Sequence, residues 1–243
     1  MQAVWCEVTS VPRKTLILAV LALVLLPSGD AWAWGNGEGG PNAFGTHDQI
    51  LREAVRISHQ SGDWICLRVA LRATDDPDTL DGIDHASGNW WHVWDEWGEA
   101  SGGAPGAVRV WYRRVQRQLA HDHRCGASRA LGIMSHMLAD VAQPMHTDGR
   151  LDAEARVRAG YEHEVDTRCS RSTCQFPVEN MGVSWVSPYP VTVTLARVSH
   201  KLYGELVRTY DRDGFTRRVK AITRRQINLG ANVLAALIRK LGA

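Results

Sequence analysis

Ser128-Arg-Ala-Leu-Gly-Ile-Met-Ser-His136-Met-Leu-Ala-Asp140-Val-Ala-Gln-Pro144-Met-His146 is the stretch on which the fold turns. Its periodicity predicts a helix from Ser128 to about Val141. The helix must stop near Pro144, whose ring clashes with the preceding turn and which offers no N–H. His136 and Asp140 stand four residues apart, just over one turn, so they project from one face. Gly132 and Ile133 fall on that face one turn earlier, which aims the pair into a bundle and away from water. Pro144 turns the chain and lets His146 come back beside them. A buried imidazole or carboxylate must be paired or bound to metal, because leaving it unsatisfied is costly. On this stretch alone two readings stand: a hydrogen-bonded His–Asp brace between helices, or a zinc site, to which these ligand types are well suited.

Helical spacing extends outward from there. Ile50, Leu51, Ala54, Val55 and Ile57 form an amphipathic stripe behind Thr46, which is expected to be the N-cap. Further helices are expected over 64–73, 107–120, 152–167, 191–210 and 214–241. Val191-Thr192-Val193 would suit a short strand, but its continuation is helical. Two stretches resist helix: the glycine-rich 34–45, and 74–106, which begins Asp-rich, turns Trp-rich and ends Gly102-Gly103-Ala104-Pro105-Gly106. An irregular segment that long inside a helical domain is usually functional. The fold class expected is all-α, a single-domain helical bundle.

The N-terminus is a separate matter. Arg13 and Lys14 precede an apolar run over 16–26, and Ala31-Trp32-Ala33 follows as an A-x-A cleavage pattern. Eleven apolar residues are short for a membrane span, and the order is that of a secretory signal. Residues 1–33 are therefore expected to be removed, leaving the domain 34–243 with Trp34 at its N-terminus, secreted or periplasmic. In an oxidising compartment the remaining Cys66, Cys125, Cys169 and Cys174 suit two disulfides. The short Cys169–Cys174 loop favours that pair and leaves Cys66 with Cys125. None of these cysteines has C-x-x-C spacing.

Composition excludes other classes. The chain is 44% hydrophobic and 22% charged, which is incompatible with a disordered polymer. Its 28 basic and 26 acidic residues give no strong lure for a phosphate polymer. Ten Trp against three Phe, and ten His, point to a site.

Several separated motifs resemble the zinc-dependent phospholipase C and S1/P1 nuclease group. Trp34 follows the cleavage pattern, and Gly45-Thr46-His47 comes thirteen residues on. Pro77-Asp78 precedes His92-Val-Trp-Asp95, then come His136, Asp140 and Gln143-Pro-Met-His146, and finally Tyr161-Glu162 with Val165-Asp166-Thr167. The resemblance implies an exported phosphodiester hydrolase with two to three zinc ions. By that resemblance Trp34, through its freed amino group, and His47 hold one ion, while Asp78, His92, His136 and Asp140 hold another, with Asp140 bridging. His146 and Glu162 are ligands of a third. Asp78 is also the residue implied to accept a proton from the attacking water.

Arg158 departs from the pattern. The group carries a His four residues before the Glu, and here an always-protonated Arg occupies that position. His163 is adjacent to Glu162 but about 100° around the helix. Three outcomes are open for the third zinc: held weakly, completed by water or another side chain, or absent with Arg158 contacting a substrate phosphate. Gly-Thr-His and Tyr-Glu-x-x-Val-Asp favour the phospholipase branch, acting on phospholipid headgroups. An S1/P1-like single-strand nuclease and a non-catalytic exported zinc-binding protein are the alternatives. The resemblance spans about 34–167, and no C-terminal lipid-binding domain is expected after Ala243. Transient contact with a membrane surface fits the substrate, and no protein partner is expected.

Other residues admit plain and functional readings. Trp90, Trp91, Trp94 and Trp97 would pack the irregular segment on the core or form an aromatic cage. His121 and His123 read as a helix end and polar loop. Arg217, Arg218, Lys220, Arg224 and Arg225 read as a solvated helix face, or one facing an anionic membrane.

Overall fold

The structure is a computed structural model that describes residues 44–95, 102–148, 155–170, 172–184 and 187–243, except the side chains at 60, 61, 89 and 155. All belong to one compact unit, Ala31–Ala243. The expected signal segment, its cleavage point, Trp34 and Trp97 lie outside the described residues. No described helix is long and apolar enough to cross a membrane.

The helix Arg124–Ala142 (α5 below) runs through the middle and is buried almost throughout from Ala127 to Ala142. Over that stretch, apart from Arg129, His136 and Asp140, its residues are apolar or small, as suits a helix enclosed on nearly every side. It begins earlier than its periodicity predicted, with His123 at the N-cap position, and ends at Gln143 because Pro144 follows. Around it stand α1 (Thr46–Ser58), α2 (Leu67–Arg72), α3 (Asp76–Thr79), α4 (Ala104–Ala120), α6 (Ala155–Asp166), α7 (Pro188–Asp213) and α8 (Arg217–Leu241). α4 lies along α5, and α1 along α8. Pro105 and Pro188 sit in first turns, where a missing N–H costs nothing. Thr216 caps α8, its hydroxyl accepting from the Val219 N–H at 3.3 Å. Gly214, at φ 69°, makes the left-handed turn that ends α7.

Among the described residues there is no strand, only an isolated bridge between Cys169 and Cys174. The all-α expectation holds. Val191–Val193 lies within α7. The second helix is shorter than expected, spanning Leu67–Arg72. The 74–106 segment is less irregular than predicted, since it contains α3 and a 3-10 turn, Asn89–His92. Of its described tryptophans, Trp94 is in the core and Trp91 rests against it, while Trp90 is exposed.

Thr46 is not the N-cap. Gly45 holds that position and donates its N–H to Asp48 Oδ2 at 3.0 Å. Thr46 is engaged elsewhere: its N–H and hydroxyl both donate to Asp166 Oδ1, at 3.1 and 2.6 Å. Cys169 and Cys174 are disulfide-bonded, as expected. Cys66 and Cys125 are not, which corrects the second pairing; their sulfurs lie 3.8 Å apart as thiols. They nonetheless face each other, because the segment before α2 docks where α5 begins: the Cys66 N–H donates to Ser128 Oγ at 2.8 Å.

Candidate metal centre

Five of the predicted ligands converge from four separate segments. His47 stands in the first turn of α1, fixed there by the Thr46–Asp166 clamp. Asp78 comes from α3, which is tied to α5 by Arg129 donating to Asp76 at 2.6 Å. His92 ends the 3-10 turn at Asn89–His92, and α5 supplies His136 and Asp140. Four are buried and Asp78 is half-buried: His136 and Asp140 are 0% exposed, His47 1% and His92 7%.

Asp140 occupies the middle of the arrangement. Its Oδ1 is 3.2 Å from His47 Nε2, while its Oδ2 is 2.9 Å from His92 Nδ1 and 3.4 Å from His136 Nε2. Asp78 Oδ1 lies 3.5 Å from His136 Nε2 and 3.7 Å from His92 Nδ1. Two triads thus gather donor atoms within 4.8 Å of one another, His47/His136/Asp140 and Asp78/His92/His136. Asp140 faces both with different oxygens, as a bridging carboxylate must.

The rings are oriented by the main chain. His136 Nδ1–H donates to the Thr74 carbonyl at 2.7 Å, and His92 Nε2–H to the Ala86 carbonyl at 3.0 Å. Each bond assigns the proton to the outer nitrogen and leaves the inner nitrogen's lone pair directed at the carboxylates. This is the way protein metal sites fix imidazole tautomers. The inner nitrogens of His136 and His92 then face each other at 3.1 Å. Two lone pairs cannot share that distance without a cation or proton between them.

The electrostatics agree. Burial would depress His136, but the Asp140 and Asp78 carboxylates outweigh it and lift its pKa to about 9. Burial, reinforced by the nearby His136 charge, drives His47 down to about 4. Burial pushes both Asp78 and Asp140 up, yet the surrounding histidines more than reverse this and keep both carboxyls below their usual range. The donor set of imidazoles and ionised carboxylates, with outer N–H groups anchored, fits a divalent cation such as zinc.

Beside this centre lies a second cluster. His146 Nδ1–H donates to the His92 carbonyl at 3.0 Å, and the Trp94 N–H returns to the His146 carbonyl at 2.9 Å. His146 Nε2 meets Glu162 Oε1 at 3.2 Å. Gln143, which sequence reasoning did not single out as functional, donates its Nε2–H to the same oxygen at 2.8 Å. Arg158, one turn before Glu162 on α6, is buried, with Nε 3.8 Å from that oxygen. His163 points outward and is exposed, so it does not replace the missing His. No third His, Cys, Asp or Glu joins His146 and Glu162 in a metal-sized group among the described residues. Burial raises the Glu162 carboxyl above its usual range.

Two solved structures resemble this architecture. The alpha toxin from Clostridium absonum has a TM-score of 0.64 at 13% identity, over 84% of this chain and 65% of that one. The chain folds like the clostridial alpha-toxins. A Clostridium perfringens alpha-toxin from avian strain SWCP gives a TM-score of 0.58 at 10% identity, again over 84% of this chain and 65% of the toxin. The likeness to the alpha-toxins bears out the all-α fold that the motif resemblance implied. The chain spans 65% of the length of each toxin chain. It matches no protein-family model and no curated protein.

Beyond the centre, the expected pairing of residues changes little. His200 donates Nδ1–H to the Thr147 carbonyl at 2.6 Å. His121 and His123 are exposed at the α4–α5 junction, as read from sequence. The basic residues at 217–225 form an exposed face of α8, where Arg218 pairs with Glu205 and Arg224 with Glu179.

Proposed function

We propose that this chain is an exported zinc-dependent phosphodiester hydrolase, a phospholipase C acting on phospholipid headgroups. The observation that carries the reading is the bridging disposition of Asp140 between His47 and the His92–His136 pair, with the outer nitrogens of His92 and His136 locked to backbone carbonyls. The alpha-toxin fold and the motif resemblance support the same class. Asp78, His92, His136 and Asp140 would hold one ion; His47, Asp140 and the processed N-terminus at Trp34 would hold the other. Zinc there supplies charge neutralisation for the phosphodiester and acidity for an attacking water.

The chain's own residues do the rest. Thr74 and Ala86 carbonyls hold the imidazoles in register. Asp78, kept ionised by the imidazoles around it, accepts the proton released by the attacking water. Burial keeps bulk water out and strengthens each electrostatic contact. The apolar run before Ala31-Trp32-Ala33 directs export, and its removal frees the amine that completes the site.

The test is zinc per chain in purified protein whose N-terminus is verified as Trp34, followed by hydrolysis of phosphatidylcholine and of single-stranded DNA. Two or more zinc ions with phospholipid cleavage alone is the expected result. Cleavage of DNA alone would make it a nuclease. Zinc with neither activity would leave a non-catalytic zinc-binding protein.

A further inference from the structure

Arg158 is a poor neighbour for a metal ligand and a good one for a phosphate. It is 5% exposed, and its Nε and Nη1 hydrogens meet no acceptor among the described residues. Glu162 Oε1 is 3.8 Å from Nε, too far for a hydrogen bond, and already accepts from Gln143 while lying 3.2 Å from His146 Nε2. A guanidinium stays charged at any working pH, and burying it with N–H groups unpaired is expensive. On the same cluster Glu162 Oε2 and Gln143 Oε1 also lack partners among the described residues. Four buried polar atoms left open around one side-chain cluster mark a place built for an occupant.

The occupant is not a third metal ion. Arginine has no lone pair to give, and its fixed charge repels a cation next to Glu162. His146 and Glu162 alone do not make a metal-sized group of donors. A guanidinium fork matches the oxygens of a phosphate, and a tetrahedral oxyanion accepts from both open N–H groups. The His146–His92 backbone bond joins the cluster directly to the metal centre. We infer that Arg158 stands in place of the third metal and that its guanidinium receives a non-bridging oxygen of the scissile phosphate. This deepens the proposed function and rests on it: the site has two ions and an arginine, and the arginine supplies charge that needs no metal loading.

Zinc per chain and the affinity for inorganic phosphate, measured by titration calorimetry on stripped and zinc-loaded full chain, test the inference in the wild type and in R158K, R158Q and R158H. The wild type is expected to hold two zinc ions. R158Q should weaken phosphate binding on the order of tenfold or more, the weight of charged hydrogen bonds. R158K keeps the charge and should retain part of the affinity, which separates anion binding from a packing defect. R158H restores a ligand and should admit a third zinc. A short-chain phosphatidylcholine below its micellar concentration distinguishes sources: KM rising in R158Q supports the diester as ligand, and weakening of inorganic phosphate alone supports the free anion.

Three zinc ions in the wild type, or phosphate affinity unmoved in R158Q, would overturn the inference. The second result with two zinc ions bound would leave the hydrolase reading intact. A chain that binds no zinc yet loses phosphate on R158Q would sink the hydrolase reading and keep the anion site.

Discussion

In the metal-free chain His136 holds its proton up to about pH 9, and His47 takes one up only as pH falls to about 4. The two therefore tilt stability in opposite directions. His136 binds its proton more tightly folded than unfolded, so its contribution is complete below its ordinary value near 6.5 and is lost as pH rises through about 9. His47 is depressed, so its contribution is complete above 6.5 and is lost as pH falls through about 4. Calorimetric unfolding in chelator should peak near pH 6.5, with H136N flattening the alkaline flank and H47N the acid flank; an alkaline fall unchanged in H136N would refute the assignment. Asp140 faces both donor groups, so D140N should release both ions. Zinc titration should register a loss of more than roughly 100-fold in affinity, beyond the range of outer-shell changes. A variant that lost only one ion would show that Asp140 does not bridge.

At the scale of elements, the centre depends on how closely helices approach one another. A Cβ on Gly132 would lie 2.2 Å from the Ala70 carbonyl oxygen and 2.8 Å from Ala73 Cβ. G132A must push α5 away from α2, at about 1–3 kcal/mol for overpacking. Thermal unfolding should fall by roughly 2–12 °C for a chain of this size. The shift reaches the site, because Thr74, whose carbonyl anchors His136, follows directly on Ala73. Asp166 does for α1 what Ala70 and Gly132 do for α5: D166N should loosen Thr46 and weaken zinc at the His47 side by roughly tenfold, leaving the Asp78–His92 side intact. The sequence announced α5 and its His–Asp face, since period and proline breaker are both local signals. It misassigned Thr46 because a cap and a tertiary clamp use the same hydroxyl, and only the fold brings Asp166, 120 residues away, to claim it. The small helix α3 was hidden in an Asp-rich run, its first turn carrying acids that suit a helix N-terminus.

For the whole molecule, candidate ligands drawn from α1, α3, the 89–92 turn and α5 would make a bound cation a clasp across segments that packing and the Arg129–Asp76 pair already bring together. Chelation should lower the unfolding temperature by roughly 5–10 °C, from about 2.7 kcal/mol of linkage at zinc a hundredfold above its dissociation constant. Scanning calorimetry with and without EDTA reads this, and coincident transitions would mean no resident ion. The ligand types were legible because ordered motifs carry them. The supports were not: Gln143 was visible only as part of a motif, and the Thr74 and Ala86 oxygens have no side-chain signature at all. Those oxygens carry a consequence of their own. A substitution can delete any side-chain partner, but none deletes a main-chain carbonyl, so the aim of His136 and His92 is insured against mutation at the positions that hold it. The side chains at 74 and 86 answer to other demands, the Thr74 hydroxyl to Leu71 and Asp48 and Ala86 to the core, while the orientation of the site is inherited through the course of the backbone and not through the alphabet.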